Sequence, residues 1–115
     1  MANEQQQSIQ DFERNRVQLM NVSSQKQQLQ MQSQGLNASL EELGKTAEKK
    51  VFKAVGPIML LTDAKEVEKQ IKEQKESVDL RVKTLQKQED ALVDKLNKLK
   101  ASIEGSAKPG KEESE

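Results

Sequence analysis

Gly44-Lys45-Thr46 carries residue types that end a phosphate-binding loop: a lysine to reach the phosphates and a hydroxyl for a magnesium ion. The full motif needs a glycine five residues before the Gly-Lys pair, and that position is Ser39. The segment before it reads as helix rather than strand, so Gly44 reads as a helix stop. No other constellation points to a reaction. The chain has no histidine and no cysteine, which removes the usual metal ligands and the usual general base. Its acidic residues fall in solvated helical patterns or in the C-terminal tail, where nothing would bury a carboxylate and raise its pKa. No enzyme activity, metal or cofactor is expected.

Composition narrows the classes further. The 115 residues suit one domain, but only 33% are hydrophobic, against ~45–50% in an ordinary compact globule. Charged residues make up another 33%, and 19 basic residues balance 19 acidic ones. Balanced, interspersed charge with periodic Leu, Val and Ile is the composition of long amphipathic helices. Zero formal net charge argues against a nucleic-acid partner, as does an aromatic set limited to Phe12 and Phe52. The longest apolar run, Ile58-Met59-Leu60-Leu61, is far short of a membrane span. The N-terminus MANEQQQSIQDFE lacks the features of a signal peptide, and the absence of cysteine favours a reducing compartment. A cytoplasmic location is expected, which leaves the sequons Asn21-Val22-Ser23 and Asn37-Ala38-Ser39 without a use.

The elements follow from spacing. Residues 1–7 are polar and Gln-rich and read as a flexible N-terminus. A helix is expected over 8–43, with one seam position at Phe12, Leu19, Lys26, Ser33 and Leu40 and its partner at Asn15, Val22, Leu29, Leu36 and Leu43. Gly35 sits inside this helix as a place for a bend. Residues 44–50 read as a linker, and 51–62 as a β-hairpin of two short strands, because Pro57 would break a helix. Asp63 and Glu66 resemble a capping box for a second helix over 64–103. Its seam runs through Ile71, Val78, Leu85, Leu92 and Leu99, with Glu68, Lys75, Val82, Glu89, Leu96 and Ile103 alongside. Residues 104–115 read as a disordered tail. The fold class is therefore mainly α: an antiparallel two-helix coiled-coil arm with a short β-hairpin between the helices.

Two inferences about binding come from this arrangement. A lone hairpin is marginal in water, and one this apolar exposes its strand edges, so it calls for strands from other chains. Ile9, Phe12, Leu96, Leu99 and Ile103 fall near the opposite end of the arm. Polar seam residues such as Asn15 and Glu89 suggest imperfect pairing towards that end, leaving apolar side chains partly accessible to other apolar surfaces.

The segment VFKAVGPIMLLTDAKEVEKQIKEQKE, Val51–Glu76, together with the helix–hairpin–helix order over residues 8–103, resembles the β-class subunits of prefoldin. Val51-Phe52-Lys53-Ala54-Val55-Gly56 is similar to that family's hydrophobic–aromatic–Lys–x–x–Gly signature, and the single hairpin suits the β class. The resemblance implies a single domain over 8–103. It implies a hairpin that joins an oligomeric β-barrel, and assembly with α-class and further β-class subunits into a hexamer that holds non-native client proteins at its tips without ATP and passes them to a group II chaperonin. By the same resemblance, Val51, Phe52, Val55, Ile58, Leu60 and Leu61 would be assembly residues, and Ile9, Phe12, Leu96, Leu99 and Ile103 would lie near the client site. The acidic end, Glu112, Glu113 and Glu115, would meet a basic chaperonin surface.

Two other readings compete. A structural coiled-coil adaptor would share the heptads but would not need the apolar hairpin. A nucleotide-binding enzyme would rest only on the incomplete Gly-Lys-Thr fragment.

Overall fold

A computed structural model describes residues 2–107. The order of elements is α1 (Ala2–Lys45), β1 (Lys50–Val55), β2 (Ile58–Asp63) and α2 (Ala64–Ala107). Helix α1 is rich in Gln and Leu, and α2 in Lys, Glu and Leu, residues that keep rotamer freedom in a helix and favour it. The helices exceed their expected bounds. The Gln-rich stretch expected to be a flexible end is helical from Ala2, because glutamine is a good helix former and its polarity did not oppose helix. Helix α1 also passes through Gly35 and Gly44 and ends at Lys45, so the connection shrinks to residues 46–49. Residues 104–107, read from sequence as the start of a disordered tail, continue α2.

Contacts divide the chain into two compact units, and each helix contributes to both. The first contains residues up to Lys26 and from Thr84 on. Here the helices run antiparallel: Lys26 bonds Gln86 and Glu89, and Leu19 shares a groove with Val93. Its core is a thin seam of Val22, Leu85 and Leu96. Asn15, also buried, donates its Nδ2 to the carbonyl of Asp11 at 2.7 Å and so meets its need within its own helix.

The second unit spans Gln27–Lys83 and holds the hairpin. Ser33 pairs with Asp79, and Ala38 and Leu43 share a cleft with Val67 and Ile71, again antiparallel. Strands β1 and β2 pair antiparallel from Lys50↔Asp63 to Val55↔Ile58. Gly56 turns the chain with φ +58°, and Pro57 cannot take a positive φ, which selects a two-residue turn of the II′ kind. At the base the amide of Ala64 donates to the carbonyl of Lys49 at 2.8 Å, closing the connection where α2 begins. The Asp63 carboxylate, expected to cap α2, instead lies 2.9 Å from Lys50 Nζ across the ladder.

Candidate functional site

Strand alternation gives the hairpin two faces. Phe52, Ala54, Met59 and Leu61 stand on one, with the Lys50–Asp63 ion pair at its foot. Val51, Lys53, Val55, Ile58, Leu60 and Thr62 stand on the other. Lys53 reaches from this second face to α2, where its Nζ donates to Gln70 Oε1 at 2.7 Å. Val51 and Phe52 border a shallow cleft with Leu43, Val67 and Ile71, which ties the foot of the hairpin to the helices.

Of the six residues expected to drive assembly, Phe52, Val55, Ile58, Leu60 and Leu61 are exposed and Val51 is half-buried. Phe52 is 67% exposed and Leu61 60%. Met59, absent from the expected set, belongs with them: it is 63% exposed beside Ala54, on the face of Phe52 and Leu61. Its position two residues from Leu61 carried the signal. A two-stranded sheet also leaves one unpaired edge on each strand. Among the described residues this is the densest group of exposed apolar side chains on consecutive positions.

The residues expected near the client site differ among themselves. Ile9 is exposed, Phe12, Leu99 and Ile103 are half-buried, and Leu96 is a core residue. The first unit also exposes Val17, Met20 and Val93, which lie off the heptad seam and were not singled out by periodicity. Glu112, Glu113 and Glu115 lie outside the described residues.

The polar seam residues, read from sequence as weak points, form two bonded layers. In the first unit Lys26 Nζ donates to Glu89 Oε1 at 2.6 Å and to Gln86 Oε1 at 2.9 Å, while Ser23 Oγ donates to Glu89 Oε2. The Lys26 and Glu89 side chains are only 17% and 18% exposed. The bond from Lys26, followed by that from Ser23, holds the Glu89 carboxyl below the usual carboxylate range. In the second unit Lys75 Nζ donates to Asp79 Oδ2 at 2.8 Å, and Ser33 Oγ donates to Asp79 Oδ1. These two bonds, Lys75 first, lower the Asp79 pKa in the same way.

Gly44-Lys45-Thr46 takes no loop geometry suited to phosphate. Lys45 ends α1 with its Nζ 3.5 Å from Glu42, and Thr46 Oγ1 accepts from the Glu48 amide at 3.2 Å. Among the described residues no helix is long and apolar enough to cross a membrane.

Residues 6–108 match the family described as prefoldin subunit. Prefoldin subunit beta of Thermococcus onnurineus (strain NA1) is 33% identical over 93 residues, covering 80% of each chain. Prefoldin subunit beta of Archaeoglobus fulgidus is 33% identical over 107 residues, covering 80% of this chain and 92% of the other. The crystal structure of the prefoldin beta subunit from Thermococcus strain KS-1 superposes with a TM-score of 0.84 at 28% identity, covering 90% of this chain and 91% of that one.

Proposed function

The chain belongs to the prefoldin family as a β-class subunit, and from that premise we propose that it works as an ATP-independent holding co-chaperone within a hetero-oligomer. It assembles through its hairpin with α-class and further β-class subunits into a hexamer, whose joined hairpins close a β-barrel. It captures non-native proteins near the end of the helix pair and passes them to a group II chaperonin in the cytoplasm. Catalysis, a bound cofactor, nucleic acid and a membrane have no part in this reading. The acidic residues Glu112, Glu113 and Glu115 serve as its chaperonin contact.

The observation that carries the reading is the hairpin. Phe52, Met59 and Leu61 share one face and are each at least 60% exposed. A two-stranded sheet with such a face is unstable in water unless other strands cover it. Clients of unrelated sequence share only exposed apolar surface, so a holder needs several adaptable apolar contacts, and many weak contacts around one assembly raise effective concentration.

The test is aggregation of a chemically denatured model protein diluted into buffer, followed by light scattering without ATP. The chain co-assembled with an α-class partner should suppress scattering, and replacing Phe12, Leu99 and Ile103 by Ser should remove the effect. A well-formed hexamer that leaves scattering unchanged would refute holding. That result would favour the second reading, a structural coiled-coil adaptor, which draws support from the burial of Leu96 and the half-burial of Phe12, Leu99 and Ile103.

A further inference from the structure

Two long heptad helices of one chain face a pairing problem. Any seam of Leu and Val can dock on any other, including the same helix of a second copy. The charged seam residues of the first unit bear on this choice. Lys26 lies in α1 and Glu89 in α2, both largely withdrawn from solvent, and they meet at 2.6 Å with Ser23 and Gln86 completing the layer. Gln86 in turn donates to Glu89 at 3.2 Å and to Asp90 at 2.9 Å.

No alternative pairing of like helices reproduces these bonds. In a parallel contact between two copies of α1, each Lys26 would face Lys26 of the other copy, since equivalent seam positions meet in that arrangement. A parallel contact between two copies of α2 would set Glu89 against Glu89 in the same way. Antiparallel contacts about the helix midpoints would place Lys26 beside Leu19 and Val22, and Glu89 beside Val82. Each arrangement leaves a charge in the seam opposed by a like charge or by hydrocarbon, which is costly. Of these arrangements, only α1 against α2, antiparallel, pairs them.

We propose that the Ser23–Lys26–Gln86–Glu89 layer is a pairing filter: it admits the antiparallel match of α1 with α2 and rejects contacts between like helices of two copies of this chain. The role is independent of client holding. It matters wherever several copies are concentrated, because arms that paired with one another would be lost as separate arms.

The chain has no cysteine, so a single Leu19→Cys replacement in the full-length protein reports on the seam. Leu19 lies beside Val93 in the native pairing and meets its own counterpart only when two α1 helices pair in parallel. Under mild oxidation the reporter protein should form few disulfide-linked dimers. Adding Lys26→Ile with Glu89→Ile should raise the dimer fraction by about tenfold, as expected when the selective cost falls by one decade of equilibrium constant. Adding Lys26→Glu with Glu89→Lys should keep it at the starting level, because the exchanged pair still matches only across α1 and α2. An unchanged dimer fraction in the Ile pair would overturn the proposal, as would an equal rise in the exchanged pair. Loss of helical circular dichroism in the Ile pair would also overturn it, since apolar replacement of a matched ion pair is expected to be neutral or stabilising.

Discussion

Phe52 stands opposite Leu61 in the hairpin ladder, and both side chains are largely exposed. Directly opposed apolar residues on one sheet face act as a unit. Replacing both by Asp should abolish co-assembly with an α-class partner, measured by size-exclusion chromatography with light scattering. Helix content should persist, because the pair contributes little to the helix seam. Assembly that survives the double replacement would show that the other hairpin face carries the interface.

The apolar seam predicts a sharp contrast in stability. Leu85 is 4% exposed and Met31 65%. Leu85→Ala should destabilise the fold by roughly 2–5 kcal/mol. Met31→Ala should change it by no more than about 0.5 kcal/mol. Urea unfolding followed by circular dichroism distinguishes the two.

The residues near the proposed client site should separate into two kinds. Ile9→Ser removes an exposed side chain and should weaken client holding with the melting temperature unchanged. Leu96→Ser removes a buried one and should lower the melting temperature first. Paired melting and light-scattering measurements on both variants would expose any other pattern.

Acid should loosen both polar layers. Glu89 and Asp79 each titrate lower in the folded chain than in the unfolded one, so the unfolded chain binds more protons across the acid range. Their contribution is therefore complete above the usual carboxylate range and is lost as pH falls through about 4 and below. The melting temperature should be level near neutrality and drop in acid. In Glu89→Gln with Asp79→Asn that drop should be shallower, and an equally steep drop would assign the acid sensitivity to other carboxylates.

The turn makes a local prediction. Gly56 holds φ at +58°, where an added side chain is strained. Gly56→Ala should cost about 1 kcal/mol in the hairpin. Faster amide exchange in β1 and β2, with the helix seam unaffected, is the expected readout.

Much of the fold could be read in one dimension. Every position assigned to the seam of α1, from Phe12 to Leu43, is buried or half-buried, and so is every one from Glu68 to Ile103 in α2. Period alone carries that information. Pro57 and the β-branched residues around it likewise announced the hairpin. What stayed hidden was the stagger between the helices. Lys26 and Ser33 are polar positions in an apolar seam, and their partners, Glu89 and Asp79, lie 63 and 46 positions away. Which residue meets which depends on the connection between the helices, and no single-helix pattern contains it.

The open hairpin has a consequence for supply. A cell that makes this chain in excess of its partners would hold free subunits whose Phe52, Met59 and Leu61 face water beside unpaired strand edges. Such an orphan displays the same kind of surface by which a damaged protein is recognised. Surplus copies would then depend on strands from other subunits to withdraw that surface from water.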